Sequence, residues 1–246
     1  MKLNCDLGES FGSWKMGLDE AVMPNIDMAN IACGFHAGDE NVMFKTLSLA
    51  KMHGVEVGAH PGYKDIQGFG RRSIPHTEQE IVNLVTYQVA SLIGMAQTLD
   101  VNVTYIKPHG ALYNDMMADA DIRFAIYRAI KALNKGRESK LKLMMLATNE
   151  ADVHKQEAST FGLELLLEAF ADRRYTETGK LQSRSINGSV LNKEQMLQQV
   201  QQLITKGSVE TDAGSELLVA ADTICVHGDN DAGVQMIREV RAICQS

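Results

Sequence analysis

Seven short apolar segments, separated by stretches long enough to form helices, constrain this 246-residue chain more than any other feature. Apolar runs of this length that are bounded by glycine or polar residues are typical of buried strands. The predicted strands are residues 2–5, 26–32, 55–59, 103–106, 141–146, 163–168 and 223–226. Because strands and helical patterns alternate strictly, we expect right-handed crossovers and a parallel sheet, and therefore an α/β fold.

Helix-capping residues lie between the predicted strands. Helices are predicted to begin after Asp39, Thr77, Asp119, Asn149, Asn192 and Asn230. Two of these caps are followed three residues later by Glu80 or Gln195, which is the capping-box pattern. Residues 8–25 and 171–191 are connections long enough to cover a site or contact a partner. Residues 208–221 are predicted to form a small hairpin before the last strand.

Ionisable residues follow most of the predicted strands at the point where each strand ends. Along the chain they are Asp6 and Glu9, His36 and Asp39, His60, Lys107 and His109, Glu168 and Asp172, and His227 and Asp229. The carboxyl ends of parallel strands meet on one rim, so we expect these side chains to line one pocket of an enzyme. An open doubly wound sheet concentrates its site at one switch point, whereas these residues follow six strands. The pattern therefore favours a closed, irregular seven-stranded parallel β/α barrel.

Composition limits the classes of function. With 45% hydrophobic residues the chain can bury a large core, and residues 1–246 are predicted to form a single domain. The net charge of −7 and the pI near 5.5 argue against nucleic-acid partners and anionic membrane surfaces. The sequence shows no apolar leader segment, no run of membrane-spanning length and no CxxC pair among its four cysteines. We therefore expect a cytoplasmic protein with neither nucleic-acid nor membrane partners.

The mixture of carboxylates and imidazoles suits either of two tasks, the binding of a divalent metal ion or the transfer of protons. No HxH or HExxH spacing specifies a metal site, so no residue is assigned to a metal. Lys107 lies two residues before His109, where a cation could stabilise charge beside an acid–base group. The structural alternative is a buried ion pair between this lysine and Glu168 or Asp6.

Two arginine-containing segments could bind anions. In GFGRR, at residues 68–72, backbone N–H groups and two guanidinium groups could bind a carboxylate or a phosphate, although a solvated basic loop is the alternative. The segment EAFADRRY, at residues 168–175, could place acids and a base in one pocket or form a salt-bridged loop. The sequence contains no P-loop, so a nucleotide would have to bind in another way. Cys5, Cys33 and Cys225 are interpreted as packing residues rather than nucleophiles.

Six ordered segments carry a family resemblance and together span residues 3–229: LNCDLGESFG, NIACGFHAGD, GAHPGYKDIQGFGRR, KPHGALYN, EAFADRRY and CVHGD. In these segments the chain resembles the LamB/YcsF family. The resemblance implies a seven-stranded β/α barrel related to glycoside hydrolase and deacetylase barrels. It also implies hydrolysis of the cyclic amide 5-oxo-L-proline to L-glutamate, coupled to ATP hydrolysis, in a complex with 5-oxoprolinase subunits B and C. A divalent ion such as Mg²⁺ would accompany the nucleotide.

The motif positions and the chemistry above together predict residue roles. The predicted catalytic residues are Asp6, His36, His60, Lys107, His109 and Glu168. The predicted substrate- or phosphate-binding residues are Glu9, Arg71, Arg72, Asp172, Arg173, His227 and Asp229. One segment departs from the family: where many relatives read close to LVPRxxPGAV, this chain has LQSRSINGSV at residues 181–190. Arg184 and Gly188 remain but the prolines are absent, so the shape of this loop is not predicted.

Two other functions fit the same residues. A stand-alone deacetylase or amidohydrolase that depends on a divalent metal would use the same rim, and a tightly bound stoichiometric ion would favour it. A non-catalytic scaffold that completes the complex is the second alternative. The number of ionisable residues predicted in one pocket argues against a scaffold, and the activity of a complex carrying His109→Ala would decide.

Overall fold

The computed structural model describes residues 1–183, 186–228 and 231–245, which contain a closed barrel of seven parallel strands. The strands in these residues are β1 (Lys2–Leu7), β2 (Met28–Ala32), β3 (Glu56–His60), β4 (Val103–Ile106), β5 (Lys142–Leu146), β6 (Leu165–Phe170), β7 (Ser208–Glu210), β8 (Glu216–Leu218) and β9 (Thr223–Val226). The order around the barrel is β1-β2-β3-β4-β5-β6-β9, so that β1 pairs with β9. The predicted closed barrel is confirmed, and the open sheet is excluded.

Helices cover the outside of the barrel. They are α1 (Asp19–Val22), α2 (Glu40–His53), α3 (Glu78–Gln97), α4 (Gly110–Ala118), α5 (Ala120–Leu133), α6 (Ala151–Thr160), α7 (Lys193–Lys206) and α8 (Asp231–Gln245). Their apolar faces pack against the strands, and fully buried residues such as Leu47, Val85 and Ile126 form the hydrophobic core between the two layers. β7 and β8 pair antiparallel, as the predicted hairpin requires. Within the described residues, none of these helices combines the length and the apolarity needed to span a membrane.

Side-chain caps explain where several helices begin. The Asp39 carboxylate accepts hydrogen bonds from the backbone N–H groups of Asn41 and Val42 at the start of α2. The predicted capping boxes of α3 and α7, which begin after Thr77 and Asn192, are both present. Asp119 caps α5. The sequence therefore places the start of these four helices correctly.

Two helices begin differently from the prediction. Asn149 does not cap α6; instead the Thr148 hydroxyl accepts the backbone N–H of Glu150, the residue before the helix. α4 was not predicted at all, because the residue at its cap position is His109, whose side chain bonds elsewhere. The predicted cap Asn230, before α8, lies outside the described residues.

His53, His76 and His154 do not follow predicted strands and are therefore expected on the surface, but one of them is buried. His53 is exposed at the end of α2, and His76 is partly buried and stacks on the Tyr63 ring. His154 in α6 is only 4% exposed, and burial lowers its pKa. The prediction for His154 was wrong because α6 turns this residue inward beside Arg123, which also contributes to lowering its pKa.

A layer of large side chains fills the barrel interior below the polar rim. It consists of Met28, Tyr105, Met144 and the partly buried Leu166. Gly58 in β3 leaves room for the Tyr105 ring, since a Cβ atom at this glycine would lie 2.1 Å from Tyr105 Cε2. The register between β3 and β4 shifts at the same point, between Val57 and Gly58.

We expect Gly58→Ala to destabilise the fold by about 1–3 kcal/mol, because the added methyl group overpacks the interior against Tyr105. The matched control is Gly94→Ala in the last turn of α3, where an added Cβ atom meets no neighbouring atom within 4 Å. That control should stabilise the chain by roughly 0.5–1 kcal/mol, since alanine restricts the unfolded chain. Urea unfolding of both variants measures the difference; equal stabilities would contradict the packing described here.

Candidate active site at the carboxyl ends of the barrel strands

A cavity of about 610 Å³ opens at the carboxyl ends of the barrel strands. Predicted site residues that line it are Asp6, Glu9, His60, Arg71, Lys107, His109, Arg173 and His227. Both long connections reach it as well, through Met16 and through residues 180–183. A cavity of this size suits a small molecule.

Lys107 places its ammonium group between two carboxylates at the inner end of the cavity. Nζ is 3.1 Å from Asp6 Oδ1 and 3.0 Å from Glu168 Oε2, and the lysine is 2% exposed. Burial alone would lower the pKa of Lys107, but the negative charges around it, Asp6 first, raise it well above its usual range. The predicted ion pair with Glu168 or Asp6 therefore forms with both residues, and it borders the cavity rather than lying remote from it.

Asp6 contacts both Lys107 and the His60 ring at the rim. Its Oδ1 accepts a hydrogen bond from Asn30 Nδ2 at 2.7 Å, and its Oδ2 lies 3.4 Å from His60 Nε2. Burial alone would raise the pKa of Asp6, but its interactions with the His60 ring and with the Lys107 ammonium group lower it well below its usual range. Asp6 is therefore ionised near neutral pH and fixes the positions of Lys107 and His60.

Two fully buried asparagines support Asp6 and Lys107, and sequence reasoning missed both. Asn4 Oδ1 accepts hydrogen bonds from Asn30 Nδ2 at 2.9 Å and from Lys107 Nζ at 3.2 Å. The Tyr105 hydroxyl donates to Asn30 Oδ1 at 2.7 Å. Burying a side-chain amide in an apolar strand is unfavourable unless the amide is hydrogen-bonded. The asparagines within the apolar segments LNCDL and MANIA could therefore have indicated a buried polar network.

Three buried imidazoles form a cluster beside the carboxylates. The rings of His36 and His109 stack with centroids 3.7 Å apart, and His60 meets both rings edge-on. Glu9 Oε1 lies 3.4 Å from His36 Nε2 and 3.6 Å from His109 Nδ1. Burial, followed by the charges of neighbouring imidazoles, lowers the pKa values of His36 and His109 well below the usual range. These two rings are therefore neutral near neutral pH.

The loop after β3 is shaped to hold the stacked imidazoles. Phe69 adopts a left-handed conformation, with φ of 53°, and its carbonyl oxygen lies 2.8 Å from His109 Nε2. Gly70 also has a positive φ, of 61°, and a Cβ atom there would lie 2.6 Å from the Cβ atom of His36. The GFG part of the predicted anion-binding loop thus packs against imidazoles.

The two arginines of this loop have different positions. Arg71 lies on the cavity wall, with its guanidinium carbon 5.1 Å from the centre of the Phe69 ring. Arg72 instead pairs with buried Asp65, Nε to Oδ2 at 3.0 Å, and Asp65 also accepts the backbone N–H of Gly68. The structure does not bring Arg72 to the cavity, because this ion pair closes the loop. The predicted binding role of Arg72 is corrected to a structural one.

Arg173 and His227 form the side of the cavity between β6 and β9, and Asp172 contacts His227 from outside the cavity lining. His227 Nδ1 lies 2.9 Å from Asp172 Oδ2. Burial alone would lower the pKa of His227, but the Asp172 charge and hydrogen bond raise it. The Arg173 guanidinium donates to the carbonyl oxygen of Gln182, so this arginine connects the rim to the 171–191 connection.

His227→Gln should lower stability more at about pH 5.5 than at about pH 9, because the pKa of His227 is raised on folding. The ion pair with Asp172 is fully stabilising below the unfolded-state pKa of about 6.5 and is lost as pH rises through the folded-state pKa. Urea unfolding at both pH values measures this. Asp172→Asn should remove the same pH dependence. A larger effect of His227→Gln at high pH would contradict the assignment.

The remaining predicted residues have these positions. Asp39 serves as the α2 cap, and its Oδ2 accepts the backbone N–H of Gly12 at 2.8 Å. Asp229 and Arg184 lie outside the described residues. Burial raises the pKa values of Cys5 and Cys225 well above the usual range, which fits their interpretation as packing residues.

A model of the LamB/YcsF family matches residues 1–246. The chain belongs to the LamB/YcsF family. It is 50% identical over 242 residues to a Vibrio campbellii protein named as a 5-oxoprolinase A subunit, covering 98% of this chain and 94% of the relative. A Pseudomonas putida protein named as 5-oxoprolinase A subunit 2 is 48% identical over 240 residues, covering 97% of this chain and 92% of the relative.

Solved structures of a related and of a distant protein have a similar barrel. The crystal structure of a lactam utilization protein from Thermus thermophilus matches with a TM-score of 0.90 at 36% identity, covering 100% of this chain and 96% of that one. A putative cellobiose-phosphate cleavage protein from Enterococcus faecalis matches with a TM-score of 0.53 at 9% identity, covering 100% of this chain and 90% of that one. The second likeness concerns the fold alone. The family predicted from the six sequence segments is confirmed.

Proposed function

We propose that this chain, as one β/α-barrel domain, is the A subunit of a 5-oxoprolinase and hydrolyses the cyclic amide 5-oxo-L-proline to L-glutamate. The observation that carries the proposal is the buried Asp6–Lys107–Glu168 group on the wall of a cavity suited to a small molecule. The 50% identity to a Vibrio campbellii protein that bears the name of a 5-oxoprolinase A subunit supports the same function.

The chemistry of the substrate explains why ATP is needed. A five-membered lactam is a resonance-stabilised amide whose nitrogen is a poor leaving group. Transfer of the γ-phosphoryl group of ATP to the amide oxygen breaks this resonance and leaves an electrophilic carbon. Water adds to that carbon, the C–N bond breaks as nitrogen takes a proton, and a second water hydrolyses the resulting acyl phosphate. The products are glutamate, ADP and phosphate.

The residues of the cavity provide the groups that these reaction steps require. Arg71 and Arg173 lie on the cavity wall, where a guanidinium group can bind the substrate carboxylate. Lys107 is a fixed cation that stabilises negative charge developing on the amide oxygen. His60 and His109 border the same space and are placed to move protons between water and the ring nitrogen.

We assign the nucleotide to the partner subunits B and C, with Mg²⁺ accompanying it there. The sequence contains no P-loop, although the activation of a stable lactam requires ATP. The connections 8–25 and 171–191 reach the rim of the cavity and are the surfaces proposed to contact the partners. A cytoplasmic location agrees with the need for ATP and with four free cysteines.

The test measures 5-oxoproline-dependent ATP hydrolysis and glutamate formation by the chain alone, by subunits B and C alone, and by all three together. We expect negligible glutamate from the chain alone, even with ATP, and ATP-coupled glutamate formation only from the complete mixture. Asp119→Asn, at the exposed cap of α5, is a control that should retain activity because asparagine also caps helices. Robust ATP-coupled turnover by the isolated chain would contradict the division between subunits.

A second candidate function is a metal-dependent amidohydrolase that acts without ATP. The observation that favours it is the grouping of Glu9, His36, His60 and His109, whose ligand atoms all lie within 4.8 Å of one another. In this case the isolated chain with a divalent metal should open the lactam without ATP. The same assay with metal and without nucleotide distinguishes the two functions.

A further inference from the structure

Two nitrogen atoms of the imidazole cluster are placed so that they repel each other unless a positive charge lies beside them. His60 Nδ1 lies 2.6 Å from the carbonyl oxygen of Lys107, and His109 Nε2 lies 2.8 Å from that of Phe69. A carbonyl oxygen can only accept a hydrogen bond, so each of these ring nitrogens carries the hydrogen. In the neutral rings the other two nitrogens, His60 Nε2 and His109 Nδ1, therefore carry lone pairs. These two nitrogens face each other at 3.0 Å.

Two lone pairs at this distance repel each other unless a cation is bound beside both or an extra proton lies between them. Carboxylate oxygens add further electron pairs to the same place. Asp6 Oδ2 is 3.4 Å from His60 Nε2, and Glu9 Oε1 is 3.6 Å from His109 Nδ1. The group therefore presents acceptor atoms from four side chains to one small volume.

His36 gives an independent indication. It is 1% exposed, and neither ring nitrogen makes a hydrogen bond among the described residues. Its Nε2 lies 3.4 Å from Glu9 Oε1, and its ring stacks in parallel on His109. Desolvating an imidazole without a hydrogen bond is unfavourable, so the burial of His36 against Glu9 and His109 indicates that a bound ligand completes this group.

The spacing of these atoms matches the coordination of a single ion. Two ligands at about 2.0–2.1 Å from a tetrahedral ion lie about 3.3 Å apart. The relevant separations here are 3.0 Å for His60 Nε2–His109 Nδ1 and 3.6 Å for His109 Nδ1–Glu9 Oε1. The His36 ring is stacked in parallel on His109, so its lone pairs lie in a different plane and do not reach the same ion. A nitrogen-rich set favours Zn²⁺ and similar transition metals, whereas Mg²⁺ and Ca²⁺ prefer oxygen ligands.

We propose that Glu9, His60 and His109 bind one divalent transition-metal ion of the Zn²⁺ type, with the fourth coordination position left toward the cavity. The backbone carbonyls of Lys107 and Phe69 orient two of the rings, as carbonyl groups commonly do for metal-bound imidazoles. Glu9, His60 and His109 also line the cavity, so the ion would be reachable by a ligand from that side. Under the proposed function, such an ion would replace His60 and His109 as the group that activates water, by Lewis acidity toward water or toward the lactam oxygen.

The test measures binding of Zn²⁺ to the chelator-treated full chain by titration calorimetry, and of Co²⁺ by visible absorption. We expect one equivalent per chain and the intense absorption of a four-coordinate Co²⁺ site. His109→Gln and Glu9→Gln should each weaken binding at least about a hundredfold, beyond the effect of losing an outer-shell partner. His53→Gln, at an exposed histidine, is the matched control and should bind as the unaltered chain does.

Circular dichroism confirms that each variant is folded, and the Co²⁺ spectrum of the unaltered chain provides a test that needs no variant. Absence of stoichiometric binding would overturn the proposal and assign a shared proton to the His60–His109 pair. Equal binding by the cluster variants and by His53→Gln would overturn it too. Because metal binding is measured without substrate, a chain that supports lactam turnover with subunits B and C but binds no metal refutes this inference alone.

Discussion

Replacing Lys107 with methionine is expected to lower the turnover of 5-oxoproline by the assembled enzyme at least about a hundredfold. The ammonium group is the fixed cation between Asp6 and Glu168, and methionine keeps the volume without the charge. Its removal leaves two buried carboxylates without their counter-charge, which should also destabilise the fold by about 3–5 kcal/mol. The rate of glutamate formation and urea unfolding measure the two effects separately.

A double variant separates catalysis from stability. Lys107→Met with Glu168→Gln removes one of the stranded charges, so it should recover part of the lost stability while turnover stays low. Lys142→Met is the matched control, because Lys142 forms an exposed ion pair with Glu164. It should change stability by less than about 1 kcal/mol and leave turnover unchanged. Near-normal turnover in the double variant would make Lys107 a purely structural residue.

Asp6→Asn should have a comparable effect on turnover, a loss of roughly a hundredfold or more, with a smaller effect on the fold. Asparagine keeps the shape of the side chain but removes the charge that orients Lys107 and His60. Turnover in the complete complex and thermal unfolding of the isolated chain measure the change.

The control for this substitution is Asp119→Asn, the same chemical change at an exposed helix cap. It should leave both turnover and thermal unfolding close to those of the unaltered chain. If Asp6→Asn and Asp119→Asn had equal activities, Asp6 would not take part in the reaction.

The fold could be predicted because its signals are local. A short run of β-branched and aromatic residues, such as VTYI at residues 103–106, indicates a strand, and Thr77 with Glu80 marks a helix start. The closed barrel followed from one further step, the repeated placement of ionisable residues after strands. The same reasoning missed α4, because the residue at its cap position is His109, whose side chain makes no capping hydrogen bond.

The sequence predicts which residues approach the rim of the barrel, but not which atoms they contact there. His60 and His109 were expected on one rim, yet nothing in their spacing shows that two lone pairs face each other. That contact depends on Phe69, whose left-handed backbone directs a carbonyl oxygen at His109. Arg72 was predicted to bind an anion because the sequence does not distinguish it from the adjacent Arg71. Only the folded loop shows that Arg72 pairs with Asp65.

The pairing of β1 with β9 has a consequence for how the chain is made. Asp6 leaves the ribosome more than two hundred residues before β9, the strand that closes the barrel beside it. Until then β1 and β6 both have unpaired edges, which favour association between incomplete chains. The barrel around the site is therefore incomplete until β9 is present. The nascent barrel should depend on protection by chaperones until β9 has been translated.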